Sequence, residues 1–109
     1  MRVLVIDGQG GKVGAQLVSG IRERLPGARV TAVGTNAMAA AALRKAGADA
    51  AATGENAVIV ACRTADVIVG PVGIVIADAM LGEITPAMAR AVGQSLARRV
   101  LIPLGTCNN

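Results

Sequence analysis

The sequence predicts an α/β fold, a doubly wound parallel sheet of about five strands in the order 3-2-1-4-5. Three observations predict it. Apolar strand-like runs alternate with helical runs along the chain, so successive strands are joined by helical crossovers and lie parallel. Hydrophobic residues make up 53% of the 109 residues yet include no Phe, Tyr or Trp, which leaves Val, Ile, Leu and Ala to fill a buried parallel sheet under small-residue helices. Glycine-rich turns follow the first strand and again the fourth. The length suits one domain over residues 1–109.

The elements follow in order. Arg2 to Ile6 is a near-continuous apolar run, the pattern of a central strand buried on both faces. After Asp-Gly-Gln-Gly-Gly, Lys12 to Leu25 places Val13, Leu17, Val18, Ile21 and Leu25 at helical spacing, and Pro26-Gly27 stops that helix. Arg29 to Val33 repeats the strand pattern, and Asn36 N-caps an alanine-rich helix over Ala37 to Ala46 that Gly47 ends. Asp49 to Ala52 fits a short edge strand. The segment starting at Thr53-Gly54-Glu55 carries Val58, Ile59, Cys62 and Ala65 on one helical face, although 57–63 also fits a strand. Asp66 to Val69 is the next buried strand, closed by Gly70-Pro71-Val72-Gly73. Ile74 to Leu81 reads as a short helix, apolar nearly all round. Thr85-Pro86 forms an N-cap and N1 pair for a helix to about Arg98, and Val100 to Leu104 supplies the last strand.

In this strand order the crossovers leave the first and fourth strands in opposite directions, and their carboxyl ends flank the crevice where open α/β sheets bind ligands. Both glycine turns line that crevice. In Asp7-Gly8-Gln9-Gly10-Gly11-Lys12-Val13-Gly14 the glycines fit GxxGxxG and GxGxxxG, while the strict dinucleotide fingerprint fails at Val13. The physics holds for the variants: Gly8 for the turn, Gly10 or Gly11 for phosphate approach, Gly14 for helix against strand, and outward amides at a helix start. Lys12 adds a positive charge, Gly70, Pro71 and Gly73 form the opposite wall, and Thr35 and Asn36 stand at the ribose end. The second strand ends without the Asp or Glu of an NAD site, and Arg44 stands about 12 Å down the helix, so NAD versus NADP stays open. The expected cofactor is NAD(P) or another nucleotide. A P-loop is excluded by Ile6 and Val13 at two of its required positions.

The composition removes other mechanisms. With no His there is no Ser-His-Asp or Cys-His pair and no imidazole metal ligand, and with no aromatics there is no base-stacking platform. No metal site is expected. Cys62 and Cys107 lie far apart without metal or CxxC spacing and read as free thiols of a cytosolic protein. The net charge is +4, but Lys and Arg form no run longer than a pair, so the expected partner is a small phosphate-bearing ligand, with neither nucleic acid nor membrane. Asp7 reads as a turn cap or a ligand-orienting carboxylate, and Glu55 and Asn56 as helix caps. Asp78 and Glu83 have no position that the sequence fixes.

The stretches DGQGG (Asp7 to Gly11), GTN (Gly34 to Asn36), ATGENA (Ala52 to Ala57), ADVIVGPVGIVIADAMLGEITPAMA (Ala65 to Ala89) and LIPL (Leu101 to Leu104) together resemble a family of small bacterial proteins described only as a domain of unknown function. The resemblance runs along nearly the whole chain and implies a Rossmann-like, cytoplasmic bacterial protein whose relatives extend somewhat further at the carboxyl end. The glycine loop is also similar to that of atypical short-chain dehydrogenases over about the first fifteen residues. That likeness implies binding without the family's tyrosine chemistry, since the chain has no Tyr.

Two functions are therefore expected: a Rossmann-like nucleotide-binding module, or a non-catalytic homo-oligomeric structural or regulatory subunit joined through the apolar 74–81 segment. Whether the protein is an enzyme stays open; Asp7, Glu55 and Cys107 are the residues available as acid, base or nucleophile.

Overall fold

The computed structural model describes residues 1–103. Five strands form one sheet, β1 (Arg2–Asp7), β2 (Arg29–Gly34), β3 (Ala50–Thr53), β4 (Val67–Pro71) and β5 (Arg98–Ile102), and every pairing is parallel in the order β3-β2-β1-β4-β5. The helices are α1 (Lys12–Arg24), α2 (Ala37–Lys45), α3 (Glu55–Cys62) and α4 (Pro86–Gln94). The 57–63 ambiguity resolves as helix, with Gly54 and not Glu55 or Asn56 at its N-cap.

The two faces of β1 separate two cores. Val3 and Val5 pack with Val18 of α1, Leu43 of α2 and Val30 of β2, whereas Leu4 and Ile6 pack with Val58 of α3, Ile74, Ile84, and Met88 and Val92 of α4. Most of these side chains are fully buried, each worth about 1.5 to 3 kcal/mol relative to exposure. Strands buried on both faces by small aliphatics are what a run such as Val3-Leu4-Val5-Ile6 specifies. The edges differ: β5 exposes Arg98, Arg99 and Val100, and β3 exposes Ala51 and Ala52.

Three expected elements are corrected. Ile74 to Leu81 is not a helix. A 3-10 turn over Val72–Val75 gives way to extended backbone at Ile76, and then Asp78, Met80 and Leu81 adopt φ of 69°, 58° and 57°. The turn is closed by Asp78 N–H to Ile84 O at 2.7 Å and Gly82 N–H to Asp78 O at 3.1 Å. Pairing with residue 84 takes the place of helical bonding: the Asp78 amide, which a helix through 74–81 would direct to Ile74 O, goes to Ile84 O, and Ile84 N–H returns to Ala79 O at 3.2 Å. The last helix stops at Gln94 rather than Arg98, because Ser95 turns extended and its hydroxyl donates to Cys62 O at 2.9 Å while accepting from Ala97 N at 3.1 Å. The final strand accordingly starts at Arg98, and Leu104 lies outside the described residues.

Candidate functional site

The site lies where β1 ends and α1 begins. Helix α1 has no side-chain cap of its own, because its N-cap is Gly11 in the left-handed region at φ 75°. Its first-turn amides therefore need acceptors from elsewhere. Asp7, the last residue of β1 and the buried acidic side chain of this end, supplies one: its carboxylate accepts from Gly14 N at 2.6 Å and from Gly8 N at 2.8 Å. Burial raises the Asp7 carboxyl above the usual carboxylate range despite these two amides, and the nearby charge of Glu83 adds to the rise.

Among the described residues, the amides of Gly10, Lys12 and Val13 have no acceptor. They stand at the start of a thirteen-residue helix, where the dipole favours an anion. Gly10 is the one glycine of this loop whose surroundings are open, since a Cβ there would meet nothing within 4 Å. The others are pressed by protein. A Cβ on Gly8 would stand 2.6 Å from Thr35 Oγ1 and 2.8 Å from Glu83 Oε1, and one on Gly11 would stand 3.0 Å from Ala39 Cα. Gly14 lets α1 close onto Leu43 and Asp7, as its packing role requires. Lys12 is exposed and Val13 half-buried.

Glu83 is the residue that sequence reasoning did not place. Its Oε1 accepts from Gln9 N at 2.7 Å, from the Thr35 hydroxyl, and from Asn36 Nδ2 at 3.2 Å. These donors, Gln9 amide first, hold the Glu83 carboxyl below the usual carboxylate range. All three bonds fall on Oε1; Oε2 has no protein partner among the described residues. The carboxylate absent from the end of β2 is thus delivered there by the turn after β4. Its sequence signal is faint: Thr35 and Asn36 where an acid is expected, and Gly82 before Glu83 to let the chain turn.

Asn36 is the N-cap foreseen for that position, and it also ties α2 to the glycine loop. Its Oδ1 caps α2 by accepting from Ala39 N at 2.8 Å, and its Nδ2 also donates to Gln9 O at 2.9 Å. Gly70, Pro71 and Gly73 face protein. Gly70 lets β4 lie against the Ile6 carbonyl and Ile74, Pro71 is buried, and a Cβ on Gly73 would contact Ala79 at 3.4 Å and Met80 at 3.6 Å. The structure therefore brings Asp7 through Gly14 together with Thr35, Asn36 and Glu83, while the β4 wall supports the 76–83 turn that leans over it.

Of the three residues open to acid, base or nucleophile roles, Asp7 spends both oxygens on amides and Glu55 accepts from the Thr85 hydroxyl at 2.6 Å. Cys107 lies outside the described residues. The Cys62 thiol is buried and pushed up to about 11, so it stays protonated and unreactive at neutral pH. Among the described residues no group of His, Cys, Asp and Glu has the placement of a metal site, and no helix is long and apolar enough to cross a membrane.

Sheet order, parallel pairing and a glycine turn from β1 into α1 define a Rossmann-like α/β domain. Within that class, the chain matches the family described as Domain of unknown function (DUF3842) over residues 2–109, and it belongs to that family. Among curated proteins none matches the chain.

Proposed function

We propose that this protein is a binding module for a ribonucleotide phosphate, NAD(P) or another nucleotide, held at the carboxyl end of β1. The observation that carries this reading is the set of three open amides at Gly10, Lys12 and Val13, at the point where the strand order reverses between β1 and β4. A phosphate seated there takes backbone hydrogen bonds, with Lys12 as the one cation at this end. In this reading Glu83, anchored beside the end of β2 and with no partner on Oε2 among the described residues, accepts a ribose hydroxyl, the role an acid on β2 fills in dinucleotide sites.

The composition supplies the test. A chain without Trp, Tyr or Phe absorbs very little between 260 and 280 nm, so a 260 nm band in nucleic-acid-free protein reports a retained nucleotide. Mass spectrometry of the denatured supernatant then names it. Protein that is spectrally silent at 260 nm, and whose melting temperature is unmoved by added nucleotides, contradicts the reading.

A second reading, self-association through the 74–81 segment, is favoured by Leu81, which is 97% exposed at the tip of a tight turn, with Ile76 half exposed on the same segment. Sedimentation of wild-type and Leu81→Asp protein tests it. A dimer that the substitution dissociates supports this surface, and a monomer at all concentrations refutes it.

A further inference from the structure

Lys and Arg, scattered along the sequence, gather at one end of the fold. In a parallel α/β sheet the starts of strands and the ends of helices share that end. Arg2, Arg29 and Arg98 open β1, β2 and β5 there, and Arg99 follows Arg98. Arg22 and Arg24 close α1, Arg44 and Lys45 close α2, and Arg63 caps α3. Of eleven Lys and Arg only Lys12 and Arg90 lie elsewhere, whereas Asp7, Glu55, Asp78 and Glu83 lie towards the opposite, crevice end.

Part of this charge has structural work. Arg22 pairs with Asp49 at 3.0 Å, Arg44 donates to Ala48 O at 2.8 Å, and Arg99 donates to Ser95 O at 2.7 Å at the end of α4. Arg2 and Arg29 are held less firmly: among the described residues neither guanidinium has a hydrogen bond or an ion pair within 4.0 Å, although, after the Val30 amide and Arg22, the charge of Arg29 helps to hold the Asp49 carboxyl below the usual range. The neighbouring acids are committed, since Asp66 Oδ2 accepts from Arg2 N at 2.7 Å and Asp49 Oδ2 accepts from Val30 N and Arg22.

Arg2 and Arg29 are register partners on adjacent strands, so their side chains leave the same face of the sheet. Both line a groove of about 270 Å³ between the strand starts and the end of α3, which Thr31 and Thr64 also line and which Ala61 and Ala65 leave open by being small. That volume is at or below the lower limit of drug-sized pockets, and so suits a small ligand. Like charges at paired positions of adjacent strands repel, which an oxyanion between them relieves, and a guanidinium fork matches the geometry of phosphate oxygens.

We propose that this groove is a second ligand site, separate from the glycine loop, that takes a phosphate dianion, free or as the ester of a small molecule. Arg2 and Arg29 clamp the oxygens from one side, and the hydroxyls of Thr31 and Thr64 donate from the groove walls.

The test is amide NMR of the whole chain at low ionic strength, titrated separately with inorganic phosphate and with glycerol 3-phosphate. Saturable shifts are expected at Thr31, Thr64 and Ala65, and the relative affinities of the two titrants tell the free ion from the ester. Arg2→Gln/Arg29→Gln weakens binding at least tenfold, with Arg29→Gln alone as the milder variant should the pair disturb folding. Arg24→Gln/Lys45→Gln, which removes the same charge from the same end, leaves the affinity within about twofold. Non-saturating shifts, or equal weakening by the two double variants, would overturn the proposal by reducing the effect to the general field of the basic end.

Discussion

The backbone amide of Gln9 donates a 2.7 Å hydrogen bond to the carboxylate of Glu83, seventy-four residues away in sequence. This bond ties the glycine loop after β1 to the turn after β4, and through the same oxygen to Thr35 and Asn36 at the end of β2. Three separate chain segments are thereby held at the one end of the sheet where a ligand is expected.

Replacing Glu83 tests that tie through pH. The folded-state pKa of Glu83 is depressed, so its stabilisation is present at neutral pH and is lost as pH falls through the folded pKa. Asp7 has the opposite sign: its folded pKa is raised, so its contribution is complete in acid and is lost as pH rises through that pKa. Glu83→Gln removes the first effect and relaxes the second. The variant is expected to be less stable than wild type by about 1 kcal/mol at neutral pH, with the gap narrowing below the usual carboxylate range. Urea denaturation from pH 7 to pH 3 measures it, and a gap that widens in acid contradicts the hydrogen-bond assignment.

Leu81 is held at φ 57° while 97% exposed, so its side chain gains no burial in return for a left-handed backbone. Left-handed geometry costs an L-residue about 1 to 2 kcal/mol, and glycine escapes it. Leu81→Gly is expected to stabilise the chain by about 0.5 to 1 kcal/mol, an increase in melting temperature of a few degrees in a thermal melt.

Asn36 caps α2 and also donates to Gln9 O and Glu83. Asn36→Ala removes the cap and frees both acceptors. A loss of about 1 to 2 kcal/mol is expected in chemical denaturation, accompanied by amide shift changes at Gln9 and Ala39.

The strand order was legible because burial on both faces leaves a mark on each strand, as in Val3-Leu4-Val5-Ile6, and because Pro26-Gly27, Gly47 and Thr85-Pro86 punctuate the helices. The 74–81 segment was not, because its apolar residues are compatible with a helix, and the bonds that replace one join Asp78 and Ala79 to Ile84, outside the segment. The turn at Gly8 and the packing role of Gly14 were legible, yet the sequence leaves Gly10 and Gly11 interchangeable for phosphate approach. Tertiary neighbours separate them: Ala39 against Gly11, open space at Gly10. Glu83 carries only the faint local signal of Gly82 beside it, since its position depends on the path of an irregular turn. The basic end was hidden for a related reason, because residues as distant as Arg2 and Arg29 become neighbours only through parallel register.

Those differences among the glycines also choose the decisive variant. Aspartate at position 11 collides with Ala39 and must adopt φ 75°, so Gly11→Asp is expected to destabilise the fold and cannot isolate binding. Gly10→Asp instead places its carboxylate in open space beside the unpartnered amides. Amide NMR of wild-type and Gly10→Asp protein, each titrated with ADP and with NAD, measures directly whether the loop receives a nucleotide phosphate. Saturable shifts are predicted at Gly10, Lys12 and Val13 of the wild type, and affinity at least tenfold weaker in a folded Gly10→Asp variant. Amides at Gly10, Lys12 and Val13 that stay in place at millimolar nucleotide, or a folded variant that binds as tightly as wild type, would contradict it.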